Sequence, residues 1–368
     1  MQAGNRIAFR NRDGHASYRK SHMSLKRRAV LLLAVLALPV FAGDVTTKKR
    51  PVTGSRTAES ARSGVLWLDP ADISSRDLFY GSGGEKRAPH GSSFTFEKED
   101  REGSNPKLDV RDEDNVKWKL KLGSEARPET AATRFVWAAG YFTQDDYLVS
   151  NIHVDELPAN LHRGEQFIGP QGSIEIARVK RNPEGYEKAG EWKWKHIPFE
   201  NTREWNGLRV MMALINNWDL KDQNNQILDL KKAHDDDRPE RIYLISDLGS
   251  SFGTTSLGRH HLERKGNLDF YRQSKFIARA RPDTVDFAVP GKPAFIVLVN
   301  PHEYFSRVHL EWIGRNIPRA DARWMGELLG RLSPGQIRDA FRAGGFSPDE
   351  VEGFAKVIET RIAALKNL

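Results

Sequence analysis

The sequence predicts an α+β protein of two lobes: a small antiparallel-sheet lobe with one helix, followed by a mostly helical lobe. Three observations carry this expectation. Between Ser93 and Leu122 apolar and polar residues alternate with period 2, which is the signature of strands. From His302 to the C-terminus the pattern is helical, and Ser333-Pro334 and Ser347-Pro348-Asp349-Glu350 each offer a Ser cap with Pro at the first helical position. Between these stretches, residues 207–253 combine a core-facing helix, a polar loop and a short apolar strand.

In chain order, residues 1–42 read as a targeting leader. Lys26-Arg27-Arg28 is a positive n-region, residues 29–41 form an apolar run, and Val40-Phe41-Ala42 before Gly43 is a small-residue cleavage site. The run is too short to span a bilayer comfortably, and a start at Met23 would give the signal a natural length. The expectation is an exported body, periplasmic or secreted after cleavage near Ala42, with no stable transmembrane span. No cysteine occurs, so the body has no disulfides. The formal charge of +8 comes from 57 basic and 49 acidic residues, but the leader holds eight basic residues against Asp13 alone. The remaining chain is close to neutral, which removes the charge argument for a nucleic-acid partner.

Residues 43–63 are polar and lack apolar period, which predicts a disordered tether. Residues 64–92 carry Val65, Leu66, Trp67 and Leu68, then Leu78, Phe79 and Tyr80, enough to dock on a folded body. The N-terminal lobe is expected over 93–162. Its strands fall at 94–100, 108–114 and 116–122, the last placing Trp118, Leu120 and Leu122 on one face and Lys117, Lys119 and Lys121 on the other. The hairpin tip at Gly103-Ser104-Asn105 is a candidate cradle whose backbone N–H groups face phosphates. Pro128 opens a helix with Ala131, Ala132, Phe135, Val136 and Ala139 on its apolar side, stopped by Gly140. Residues 147–157 read as strand. The C-terminal lobe then runs over 163–368, beginning with a polar insertion at 163–198 that ends in the aromatic lid hairpin EWKWKHIPF.

The chemistry concentrates in 207–253. Leu208, Met211, Met212 and Ile215 form one stripe of a helix that breaks at Asn216-Asn217-Trp218. Asp219-Leu220-Lys221-Asp222-Gln223-Asn224 follows, and the apolar run 242–245 delivers Ser246-Asp247-Leu248-Gly249. A helix followed by D-x-K-x-x-N, then a strand followed by D-x-G, suits phosphoryl transfer from ATP. One carboxylate positions the attacking hydroxyl, the Asn holds a metal, and the second carboxylate bridges that metal to the phosphates.

These motifs resemble the catalytic and metal-binding loops of the protein-kinase-like superfamily. The D-L-K-x-x-N core is similar to that of ordinary protein kinases. The preceding Asn217 and the later Phe252-Gly253 are more similar to atypical branches: HipA kinases, spore-coat CotH kinases and lipid kinases. Upstream, Lys121-Leu122-Gly123-Ser124-Glu125-Ala126-Arg127-Pro128-Glu129 is similar to the K-x-G-D-D-x-R-Q-E run of phosphatidylinositol kinases. The resemblance implies a two-lobed kinase-like fold using ATP and Mg²⁺. Asp219 and Lys221 would be catalytic and Asn224 and Asp247 would hold Mg²⁺. Lys121 would grip the phosphates with Glu129 as its partner, and Lys119 is a fallback on the same strand face. The acceptor would be an unidentified hydroxyl on a protein or small molecule. The glycine-rich G-x-G-x-x-G run is absent near Gly103, Asn217-Trp218 stands where His-Arg is usual, and no A-P-E occurs.

Other readings compete. Scarce ATP outside the cytoplasm favours a non-catalytic binding or scaffold protein of the cell envelope on the same fold. Gly249-x-Ser251-x-Gly253 matches the nucleophile elbow of serine hydrolases, with Asp286 and then His302 or His309 in the required order. His302-Glu303 lacks the second His of H-E-x-x-H, and His260-His261 reads as surface loop.

Overall fold

The computed structural model describes residues 64–102, 105–217, 219–231, 238–253, 265–288 and 310–368, all within the compact unit Ala58–Leu368. The leader and tether, the tip Gly103-Ser104, Trp218, His260-His261, His302 and His309 lie outside the described residues.

The N-terminal lobe is built from β2 (Ser93–Asp100), β3 (Lys107–Asp112), β4 (Lys117–Lys121), α1 (Ala126–Ala138), β5 (Asp145–Asp155) and β6 (Ser173–Arg181). The five strands close into a barrel in the order β2-β3-β4-β6-β5. The antiparallel sheet expected here is thus sealed by one parallel pairing, Ser93 with His153 through Thr95 with Asp155. Its interior follows the predicted alternation, with Leu108, Val110, Trp118, Leu120 and Val179 all buried.

The boundary at 162 and the insertion at 163–198 are corrected by β6. That strand pairs with β4 (Lys121 opposite Arg178) and along most of β5 (Asp145 opposite Arg181 to His153 opposite Ser173), so the barrel is incomplete without it. The expected lid hairpin is also absent. β7 (Tyr186–Gly190) pairs with β8 (Asn225–Leu230) instead, and Trp192 and Trp194 are buried, edge to face at 5.1 Å. Their indoles remove too much apolar surface from water to serve as a mobile flap.

In the C-terminal lobe, β1 (Gly64–Val65), β9 (Arg241–Ile245), β8 and β7 form a four-stranded sheet. β10 (Ile277–Ala280), β11 (Thr284–Phe287) and β12 (Ile317–Pro318) form a second. The helices are α2 (Arg203–Leu214), α3 (Leu268–Gln273), α4 (Arg319–Leu329), α5 (Pro334–Ala343) and α6 (Pro348–Lys366). Residues 310–318, expected to be helical, form a short 3₁₀ turn and β12. Ser333 and Ser347 each make a full capping box, with Gln336 and Glu350 returning the bond. Among the described residues no helix is long and apolar enough to cross a membrane.

The helix of the small lobe packs downward. Phe135 of α1 meets Phe341 of α5 at 5.4 Å and Phe252 at 6.1 Å, inside a cluster shared with Tyr271 and Phe354. The segment before the barrel straps the same helix. Leu66, Ile73 and Leu78 enter this core, and the Trp67 indole N–H donates to the Ala139 carbonyl at 2.7 Å.

Candidate active site

Lys121 ends β4 with its side chain 3 % exposed, and three carboxylates converge on it. Nζ lies 3.0 Å from Glu129 Oε2, 2.5 Å from Glu125 Oε2 and 2.6 Å from Asp247 Oδ1. Glu125 and Glu129 share a face of the α1 start because they are four residues apart. Asp247 reaches the ammonium from the other lobe, 126 residues away in sequence. Burial opposes the charge on Lys121, but the fields of Glu129, Asp247 and Glu125 outweigh it and hold the ammonium above its usual range. For Asp247 burial pushes upward, while Lys121 and then Lys180 overcome it and hold the carboxyl well below the usual range.

Glu129 is shared. Its second oxygen lies 3.0 Å from the Arg178 guanidinium on β6, and both side chains are 1 % exposed. Arg178 in turn lies 3.9 Å from Asp146 of β5, which Arg134 of α1 pairs at 2.9 Å. Ion pairs this deep repay their desolvation only with good geometry and supporting bonds, and here Thr133 adds a hydroxyl bond to Asp146 at 2.8 Å. On the outer side of the cluster, the Lys265 ammonium pairs with Glu125.

The second motif sits where β8 begins. The pairing of Asn225 with Ile245 continues outward, the Ser246 N–H donating to the Asn224 carbonyl at 3.1 Å, so Asn224 stands one residue from Asp247. Asn224 Nδ2 donates to the Asp219 carbonyl at 2.9 Å, which leaves its Oδ1 to offer lone pairs elsewhere. The Asp219 N–H donates to Asn217 Oδ1 at 3.0 Å, and Lys221 Nζ lies 3.3 Å from the Asp219 carboxylate.

Asp247 adopts the left-handed conformation (φ 57°), and Phe252 does so as well (φ 54°). Such positions cost about 1–3 kcal/mol each and persist where the surroundings dictate them. Here the Phe252 N–H donates to the Ile215 carbonyl at 2.8 Å and its ring is locked in the aromatic cluster. The turn that aims Asp247 at Lys121 is therefore clamped from behind.

The structure brings together Lys121, Glu129 and Asp247, and brings Asp219, Lys221 and Asn224 together on the adjoining loop. Lys119 does not join them. It pairs with Asp100 at 2.5 Å and Asp109 at 2.8 Å over the outer sheet face, which removes it as a fallback. Gly103 and Ser104 lie outside the described residues. Sequence reasoning missed Glu125, Arg178, Lys180 and Lys265. Glu125 carried a signal, since it precedes Glu129 by one helical turn.

Ser251 is not a nucleophile elbow. It is 0 % exposed, its hydroxyl donates to the Leu248 carbonyl at 2.7 Å, and its backbone is extended (φ −102°) where an elbow is strained. Asp286 is committed to Arg281 at 2.8 Å and to the Asn316 N–H at 2.9 Å.

A strand Lys ion-paired to the following helix, a cleft Asp after a later strand and a D-x-K-x-x-N loop beside it define a two-lobed kinase-like fold. No protein-family model matches the chain, and no curated protein does. Among solved structures the chain is similar to the proinflammatory kinase CtkA of Helicobacter pylori (12 % identity, 75 % of this chain and 96 % of that one, TM-score 0.40). It is also similar to the Golgi casein kinase (9 % identity, 75 % and 71 %, TM-score 0.33). Both likenesses are remote, and the chemistry rests on the side-chain geometry.

Proposed function

We propose that this protein transfers the terminal phosphoryl group of Mg-ATP to a hydroxyl acceptor on a protein or small molecule, as an exported, atypical member of the kinase-like proteins. The observation that carries the reading is the meeting of Lys121, Glu129 and Asp247, drawn from β4, α1 and the turn after β9, beside Asp219 and Asn224. In this reading Lys121, held by Glu129, steadies the phosphates, and Asp219 orients the acceptor hydroxyl and receives its proton. Asp247 has the exposure a metal ligand needs, its side chain being 40 % accessible, and Asn224 Oδ1 is the neutral donor beside it. Oxygen donors of this kind suit Mg²⁺, which when bound would offset charge on the phosphates. Catalysis would then be mostly positioning and charge stabilisation.

One observation favours a non-catalytic binding protein: Lys121 is already satisfied by three carboxylates, so a ligand must displace at least one of them. Thermal denaturation with and without millimolar Mg-ATP separates the two readings. Ligand at a hundred times its Kd stabilises the folded state by about 2.7 kcal/mol. We expect a magnesium-dependent rise in Tm that Asp247→Ala abolishes while the variant stays folded. An equal rise in the mutant would sink the site assignment, and no rise in either would leave the binding reading.

A further inference from the structure

We propose that Lys180 is a second cation of this site, placed to hold a phosphate of the bound nucleotide alongside Lys121; the proposal rests on the nucleotide reading above. On β6 Lys180 stands opposite Lys119, and Arg178 stands opposite Lys121, with Leu120 opposite Val179 between them. Residues paired across an antiparallel ladder share a face. Leu120 and Val179 fill the barrel, so Lys121, Arg178 and Lys180 all leave the sheet on the other side, toward α1 and the end of β9.

The neighbouring cations each have a protein counter-charge: Lys119 has Asp100 and Asp109, Lys121 has its three acids, and Arg178 has Glu129. Among the described residues no carboxylate lies within ion-pair distance of Lys180. Its half-buried ammonium donates instead to a neutral hydroxyl, Ser246 Oγ, at 3.1 Å. Ser246 immediately precedes Asp247 and donates onward to Gln144 Oε1 at 2.8 Å, and Gln144 Nε2 donates to Asn182 Oδ1 at 3.1 Å in the crossing between the lobes. A chain of polar bonds thus holds the ammonium between the crossing and Asp247. Burial, and next the nearby Arg178, lower its pKa to about 7 against the pull of Glu129 and Asp247, as expected of a cation short of counter-charge. A polyphosphate supplies that missing charge, and a neutral ligand does not.

The competing account makes Lys180 a structural tie from β6 to β9 through Ser246. Isothermal titration of the full chain with Mg-ATP, inorganic tripolyphosphate and adenosine decides between them, using wild type, Lys180→Met and Lys180→Arg. Loss of one charged hydrogen bond corresponds to about tenfold or more in affinity. Lys180→Met should weaken Mg-ATP and tripolyphosphate by that factor and leave adenosine unchanged. Lys180→Arg should recover most of the loss. Unchanged Mg-ATP affinity in Lys180→Met, or parallel weakening of Mg-ATP and adenosine, would overturn the proposal. Lys180-dependent binding of tripolyphosphate without binding of adenosine or Mg-ATP would keep the phosphate site and remove the nucleotide reading. A wild type that binds none of the three would overturn both.

Discussion

At the scale of single residues, Glu129 holds more than its lysine. Its two oxygens divide between Lys121 and Arg178, each at 3.0 Å, with almost no exposure. Glu129→Gln keeps the shape and removes the charge. Lys121 retains Glu125 and Asp247, but Arg178 is left with Asp146 at 3.9 Å as its remaining acid. Breaking a buried pair on one side costs about 3–5 kcal/mol, so urea unfolding should show a loss of that order. A loss below about 1 kcal/mol would mean that Asp146 closes on Arg178 and replaces Glu129. The meeting of Lys121, Glu129 and Asp247, and the loop shared by Asp219 and Asn224, were legible in the sequence: Asp219, Asn224 and Asp247 by their spacing to helix and strand ends, Lys121 and Glu129 by the resemblance of their run to that of phosphatidylinositol kinases. Arg178, Lys180 and Lys265 were not, because what makes them part of the site is a pairing register and a long-range contact. Lys119 and Lys121 share a strand face, so only the positions of Asp100 and Asp109 separate them.

Among the elements, the helices were the most legible, since caps and apolar stripes are local. What the pattern could not convey is how closely they approach. At Gly326 of α4 an added Cβ would lie 2.5 Å from Leu365 Cβ and 2.8 Å from the Lys366 backbone nitrogen of α6. Helix propensity alone favours Ala over Gly by up to about 1 kcal/mol, yet overpacking costs about 1–3 kcal/mol. Gly326→Ala should therefore lower Tm, and a raised Tm would show that α6 can yield. β6 was misread for a physical reason: its apolar residues Ile174, Ile176 and Val179 are interleaved with Arg178 and Lys180, which face a charged cleft and make the strand look like polar loop. The Trp192–Trp194 stretch alternates as a strand would, but its backbone is irregular and both rings are buried.

For the molecule as a whole, the buried charges give stability a pH dependence with a definite sign. Burial pushes the Asp146 carboxyl up to about 6 from its ordinary 3.8, against the attraction of Arg134 and Arg178 and with the help of Glu129. An acid whose folded pKa is raised binds its proton more tightly when folded. Its contribution to stability is fully present below about 3.8 and is lost as the pH rises through about 6. Asp146→Asn removes this component, so urea unfolding at about pH 4 and about pH 7 should show the variant gaining on wild type at the higher pH. The opposite trend would mean that the two arginines outweigh burial. The barrel's closure was not legible, because it depends on a parallel pairing of β2 with β5 across the helix between them. That closure decides how the protein can meet another polypeptide. Where β2 and β5 pair, at Ser93–Thr95 with His153–Asp155, the barrel has no row of unpaired N–H and C=O groups to offer, so an extended peptide cannot add a strand at that seam. Among the described strands, the edges of the two C-terminal sheets are β1, β7, β10 and β12. Edge-to-edge self-association through the described strands in concentrated solution would use those edges.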